Sequence, residues 1–356
     1  MAEVFTNELT TGWPQLLGGL VAQNCGDAKT PEKIAHISKI LFHARKSNED
    51  QQDLEQQEIL KEVFLWLKKH YNAKLAMSDN KIASIVWPLP AKLPKVSILI
   101  PTRDQVELLK KLVTGLLTKT DYPDIEILIV DNESIQTVSK AYFSEIQKDP
   151  RVKVVSYPQA FNYSAINNFG FKSCTGEILA LLNNDIEVMR SDWLLEAVRE
   201  ALAPQVGAVG AKLYYKNGFI QHAGVVLGPH GAGHIHSYER RNSAGYLNRL
   251  QFSHELSAVT AACMIMRSEV FSKVSGFNEK DLPVAYNDID LCIRIRELGL
   301  KIIWTPKVEL YHLESASRPP DTRLEQIARY RREVEYMFTH WGPKMQHCLF
   351  NATYQR

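Results

Sequence analysis

Ile178-Leu-Ala-Leu-Leu182, followed at once by Asn183-Asn184-Asp185, is a run of five apolar residues that ends in three polar ones. Five consecutive apolar residues are too few for a buried helix and suit a strand covered on both faces. Working outward, the same pattern recurs. Val96-Ser-Ile-Leu-Ile100 leads to Thr102-Arg103-Asp104, residues 125–130 lead to Asp131-Asn132, and residues 152–157 form another apolar run. Amphipathic stretches at 105–119, 135–147 and 163–174 separate these runs and predict helices. Strands alternating with helices of this length make βαβ units, hence an α/β domain with a mostly parallel central sheet and flanking helices. Ligands of such sheets sit beyond the carboxyl ends of the strands, where the polar residues gather here.

Beyond residue 200 the pattern loosens. Residues 206–215, 220–227, 256–266, 301–305 and 308–312 predict strands, 228–237 a glycine-rich loop, and 288–298 a helix. Upstream, 31–45 and 49–71 predict helices, and three prolines between Trp87 and Pro94 predict an extended linker. The expected organisation is an N-terminal helical segment with its linker over 1–90, the main domain over 91–320, and a charged helical tail over 321–356.

Composition narrows the function classes. The 356 residues are 45% hydrophobic and 23% charged, as in globular enzymes, and a net charge of +2 gives no field for nucleic acid. No run approaches the roughly 20 apolar residues of a membrane span, and the first residues lack a secretory pattern. Five cysteines without CxxC spacing suit a reducing compartment, so a cytoplasmic location is expected, with the inner face of the membrane as an extension of it. The basic residues Arg329, Arg331 and Arg332 suit either peripheral membrane association or a solvated helix face. His222, His230, His234 and His236 lack a complementary carboxylate or cysteine spacing for zinc, and their loop is a candidate lid.

The segments Val96-Ser-Ile-Leu-Ile-Pro-Thr102, Ile127-Leu-Ile-Val-Asp-Asn132, Thr175-Gly-Glu-Ile178, Leu181-Leu-Asn-Asn-Asp185, Gly276-Phe-Asn-Glu279 and Asn287-Asp-Ile-Asp-Leu-Cys292, with His312, follow in an order and spacing that resembles the family 2 glycosyltransferases of GT-A fold. Gln221-His-Ala-Gly224 and His312-Leu-Glu-Ser-Ala-Ser-Arg318 are similar to members that build bacterial surface polysaccharides, rhamnosyltransferases among them. The resemblance implies a nucleotide diphosphate sugar donor, dTDP-rhamnose or a UDP-hexose, and a glycan or lipid-linked glycan as acceptor.

It also implies roles. Asp185 and His312 would hold Mn²⁺ or Mg²⁺, a carboxylate and an imidazole being suitable ligands, and Arg318 would face the diphosphate. The family triplet Asp-x-Asp reads Asn183-Asn184-Asp185 here, which predicts weaker metal binding. Thr102, Arg103, Asp104 and Asp131 would bind the nucleotide, with Asn168 and Asn184 bordering the donor. Asp288 would be the general base of a single, inverting displacement; a helix cap is its structural alternative. The family's preceding Glu is Asn287 here. These losses leave a second reading open: a non-catalytic module that binds nucleotide sugar or docks a partner enzyme. Residues 34–45 resemble the joint between transferase modules of longer enzymes, so other such modules are candidate partners.

Overall fold

The computed structural model describes residues 49–77, 83–228, 231–313 and 324–346. The expected helix over 31–45, His230 and Arg318 lie outside the described residues. Two compact units divide between Pro88 and Leu89. In the first, α1 (Glu49–Tyr71) is followed by a hairpin of β1 (Lys74–Met77) and β2 (Ala83–Val86) that periodicity did not signal.

The second unit opens as the pattern predicts. β3 (Val96–Thr102), α2 (Val106–Thr118), β4 (Ile125–Asp131), α3 (Thr137–Ile146), β5 (Val152–Ser156), α4 (Tyr163–Phe171) and β6 (Ile178–Leu182) succeed one another. The strands pair in parallel as β6-β3-β4-β5. Ile98, Leu99, Ile100, Ile127, Leu128 and Leu181 are almost wholly excluded from solvent, because helices cover both faces. Close packing leaves no slack: a Cβ on Gly170 of α4 would lie 2.5 Å from Leu99 Cδ1 and 2.6 Å from Val130 Cγ2.

The remainder departs from expectation in instructive ways. After β7 (Ile186–Val188) and α5 (Trp193–Ala201) comes β8 (Val206–Tyr214). The single strand expected over 220–227 is two, β9 (Ile220–His222) and β10 (Val225–Gly228). Gly224 separates them at φ +105°, where a Cβ would sit 1.9 Å from Leu256 Cδ1. The expected loop contains β11 (Gly231–His234), paired antiparallel with β10. The apolar run 256–266 is also split, into β12 (His254–Leu256) and β13 (Cys263–Arg267), because small residues bridge from one part of the sheet to another. Then follow α6 (Ser268–Lys273), α7 (Asn287–Glu297), β14 (Lys301–His312) and α8 (Leu324–Gln346). β14 is one strand where two were expected; its register against β8 shifts between Trp304 and Glu309, across the segment holding Pro306.

The sheet order is β12-β14-β8-β13-β6-β3-β4-β5, with β7 on β14 and β9 on β8. β13 runs antiparallel to both β6 and β8. The sheet is therefore mixed: β6-β3-β4-β5 and the β14–β8 pair are parallel, and antiparallel β13 joins the two parts. Antiparallel β13 matters most for the site. Cys263 pairs with Leu182, so the loop entering β13 meets the end of β6, and Asn183 N–H donates to Ala262 O at 3.0 Å.

Candidate functional site

A cavity of about 440 Å³ lies at these strand ends, lined from several elements: Thr102 and Arg103 after β3, Asn132 after β4, Asn183 and Asn184 after β6, and Thr260–Ala262 before β13. Tyr163, Asn287 and Asp288 from the starts of α4 and α7, and Gln326 and Arg329 from α8, also line it.

Asn184 Nδ2 donates to Thr102 Oγ1 at 3.0 Å, which ties the ends of two neighbouring strands together. Asn132 is almost fully buried; its Nδ2 donates to Tyr157 O and Gln159 O at 3.2 and 2.7 Å. Its buried Oδ1 accepts no hydrogen bond in the protein, so it marks the cavity wall as a place where a polar ligand group could be satisfied.

Asp131 and Asp104, both expected at the nucleotide, do not line the cavity. Asp131 Oδ1 accepts from Ser134 N at 3.0 Å. Asp104 Oδ1 accepts from Ile135 N and Gln136 N at 3.1 and 2.9 Å, so this carboxylate oxygen braces the entry to α3. Asn168 is also committed elsewhere: Nδ2 donates to Phe277 O and Glu279 Oε2, both at 2.9 Å, and Oδ1 accepts from Phe277 N at 2.8 Å.

Asp185 and His312 meet, with His312 Nε2 3.2 Å from Asp185 Oδ1. They meet because β7, which follows Asp185, pairs with the end of β14, opposing Ile186 to His312. His312 Nδ1 lies 2.8 Å from Gln221 Oε1, an acceptor, so Nδ1 carries a proton. Nε2 therefore faces the Asp185 carboxylate, and a proton or a cation between the two groups would satisfy both. A carboxylate and an imidazole so placed would suit a divalent cation. Among the described residues no cluster of three His, Cys, Asp or Glu side chains suited to a metal is present. The pair does not line the 440 Å³ cavity; Asn183 connects them to it. Asn183 Nδ2 is 3.4 Å from His312 Nε2, and Asn183 Oδ1 accepts from Tyr163 Oη at 3.1 Å.

Asp288 is the second residue of α7; the capping position belongs to Tyr286, at φ +60°. Its Oδ2 accepts from Ala261 N at 3.2 Å, so the carboxylate crosses to the loop before β13. Burial pushes its pKa up, against the opposing pull of the Ala261 amide and of His234. Asp290 has a different fate: Arg294 pairs with it at 2.7 Å and Trp341 Nε1 donates to it at 2.8 Å. Tyr163, near both Asp288 and Asp185, has its pKa raised by burial first and by those carboxylates next.

His222 and His234 hydrogen bond to each other, Nδ1 to Nδ1, at 2.8 Å. Burial, followed by the neighbouring histidines, holds the His222 pKa well below its ordinary value. Thr260 N–H donates to His222 Nε2 at 3.4 Å, so neutral His222 is protonated on Nδ1 and donates to His234. The pair thus fastens hairpin β10–β11 to the loop beside Asp288.

Sequence reasoning missed Tyr163, the 260–262 loop and the contribution of α8, and placed Asn132 at a strand end without giving it a role. Tyr163 and Asn132 sit at element ends without a spacing that distinguishes them. Arg329 and Glu333 do stand at an i, i+4 spacing, a signal that the reading of α8 as a tail passed over.

Residues 97–275 match the profile of Glycosyl transferase family 2. Uncharacterized protein y4gI of Sinorhizobium fredii is 48% identical over 258 residues, 72% of this chain and 28% of that protein. The O-antigen biosynthesis protein RfbC of Myxococcus xanthus is 41% identical over 230 residues, 64% of this chain and 18% of that protein. The chain thus spans less than a third of the length of these relatives. Among solved structures, GalNAc-T7 with UDP, GalNAc and Mn²⁺ superposes with a TM-score of 0.55 at 15% identity, over 70% of this chain and 50% of that one. Mannosyltransferase PcManGT from Pyrobaculum calidifontis, in complex with GDP-Man and Mn²⁺, superposes with a TM-score of 0.50 at 19% identity, over 72% and 66%. These superpositions establish the GT-A fold, and the match over residues 97–275 makes the chain a member of Glycosyl transferase family 2.

Proposed function

We propose that the chain transfers a sugar from a nucleotide diphosphate donor to an acceptor hydroxyl during assembly of a bacterial surface polysaccharide such as O-antigen. The observation that carries this reading is the half-buried Asp288 carboxylate, held by the Ala261 amide and with its pKa raised, on the wall of a cleft that strand ends, helix starts and α8 line together. A carboxylate so placed is a better proton acceptor than an exposed one. It takes the proton of the acceptor hydroxyl, whose oxygen bonds to the anomeric carbon. The bond from that carbon to the diphosphate breaks, and its electron pair leaves with the nucleotide. Among the described residues that line the cleft Asp288 is the only carboxylate, which supports a single displacement that inverts the anomeric centre.

Asp185 and His312 would hold Mn²⁺ or Mg²⁺, which when bound supplies positive charge for the departing diphosphate. Thr102, Arg103 and Asn184 form the donor wall, while Asp131 supports it from beside Asn132. Arg318 is assigned to the diphosphate by resemblance alone. The donor is dTDP-rhamnose or a UDP-hexose; the likeness to an O-antigen biosynthesis protein supports a glycan or lipid-linked acceptor. The resemblance of residues 34–45 to the joint between transferase modules supports further transferase modules as partners. No described helix is long and apolar enough to cross a membrane; Arg331 and Arg332 are exposed and remain candidates for contact with an anionic surface at its cytoplasmic face.

The test is release of nucleoside diphosphate from dTDP-rhamnose, UDP-glucose, UDP-galactose and GDP-mannose, each with Mn²⁺ and with chelator. Release from one donor that chelator suppresses is expected. Binding of donors without release from any would favour the non-catalytic module, for which Asn183 and Asn287 already argue.

A further inference from the structure

Helix α8 lies outside the family-matched stretch, yet it supplies part of the cleft wall. Gln326, Arg329 and Glu333 recur at spacings of three and four and therefore share one helix face. Glu333 is 1% exposed, a burial that a carboxylate tolerates only when its oxygens are satisfied. Its Oε1 accepts from Val284 N at 2.7 Å and from Ala285 N at 3.0 Å. Its Oε2 accepts from Arg329 Nε at 3.2 Å. One carboxylate thus joins two parts of the wall, the Val284–Ala285 backbone and the Arg329 guanidinium. The joined backbone leads directly into Tyr286, at φ +60°, and then into Asn287 and Asp288. Trp341, two turns further along α8, donates to Asp290 on the other side of Asp288.

We propose that α8 is the acceptor-side wall of the cleft, with Arg329 contacting acceptor oxygens and Glu333 as the positioning residue that holds Arg329 and the turn before Asp288. The inference rests on the transferase reading of the same cleft. The acceptor hydroxyl must come within hydrogen-bond reach of Asp288 to lose its proton. The groups that flank Asp288 therefore meet the acceptor, whereas the strand-end residues meet the nucleotide. A guanidinium fixed at Nε is suited to hydroxyl or acidic oxygens, because little of its remaining freedom is lost on binding.

The test compares Arg329→Ala, Glu333→Gln and Glu333→Ala in the full chain. UDP and dTDP are titrated, the ratio of sugar transferred to methyl and p-nitrophenyl glycosides over sugar lost to water is measured, and amide exchange at 284 and 285 is followed. Arg329→Ala is expected to raise acceptor KM about tenfold and lower that ratio, with nucleotide affinity shifted less than twofold. Glu333→Ala is expected to lower kcat and speed exchange of both amides at least tenfold. Glu333→Gln, whose amide oxygen still accepts from Val284 and Ala285, restores slow exchange and most of kcat but keeps the raised KM. Weakened nucleotide binding in Arg329→Ala, or an unchanged transfer ratio, would overturn the assignment. If the native protein releases nucleoside diphosphate from no donor, the transferase reading fails separately. The clamp is then decided by exchange alone: unchanged exchange at 284 and 285 in Glu333→Ala would refute it.

Discussion

The two sides of the cleft are built differently. On the side proposed for the donor, Thr102, Asn132 and Asn184 stand at the ends of parallel strands whose register is fixed by buried apolar residues. On the side proposed for the acceptor, Asp288, Val284 and Arg329 stand on a helix start, a turn and a distant helix, joined by side chains such as Glu333 that reach backbone amides. The donor side follows from strand periodicity, so its geometry is inseparable from the core. The acceptor side hangs on a few long-range bonds, so it can change with little effect on folding. Substitutions among the parallel strands should therefore cost stability, and those around the polar junctions should cost catalysis.

Apart from replacement of Asp288, the largest effect that would sharpen this contrast is at the junction itself. Asp185→Ala is expected to lower transfer by about 10²–10³, roughly 3–4 kcal/mol of barrier, and to abolish any response to Mn²⁺. Initial rates across a Mn²⁺ titration check it, and a retained Mn²⁺ response would remove Asp185 from the metal.

Gly170→Ala should be the costliest of the donor-side changes, since its methyl meets Leu99 and Val130 in the core. Overpacking of this kind costs about 1–3 kcal/mol. Urea unfolding reads it, and a wild-type midpoint would show the sheet core to be less tightly packed than described.

Glu126 on β4 gives a related test with a pH signature. Burial alone would raise its pKa, but hydrogen bonds from Ser97, Thr175 and Lys95 outweigh burial and lower it from 4.5 to about 2. A depressed carboxylate contributes stability that is present above pH 4.5 and lost as pH falls toward 2. Glu126→Gln should therefore flatten that part of the stability profile and cost about 1–2 kcal/mol at neutral pH. Parallel profiles for the two proteins would contradict it.

The smallest effect expected is for Asp104→Ala. Asp104 braces the entry to α3, so its loss should cost about 1 kcal/mol in thermal unfolding, with donor affinity changed less than threefold. A large loss of affinity without a loss of stability would return Asp104 to the nucleotide and blur the division between the two sides.

The same division explains what was legible in the sequence. Apolar runs such as 178–182 and 96–100 announce both strand and register, so Thr102, Asn184 and Asp185 can be placed at strand ends from pattern alone. Pattern cannot show which carboxylate oxygens are already used. Asp104 and Asn168 read as ligand residues, yet backbone amides of loops distant in sequence occupy them. Pattern also misjudged 220–227 and 256–266, because Gly224 and the small residues 257–262 break apolar runs without changing their hydrophobicity. Arg329 looked like surface charge, yet it lines the cleft and pairs with buried Glu333.

The most direct test of the account is sugar transfer by Asp288→Asn, measured beside UDP and dTDP affinity and thermal stability. Because burial raises the Asp288 pKa, its ionised form costs folding free energy as pH rises, and the neutral amide relieves that cost. The account predicts transfer reduced by about 10³ or more, nucleotide affinity within threefold, and a Tm unchanged or raised at pH 7. Transfer within tenfold of the native rate would show that another group takes the acceptor's proton.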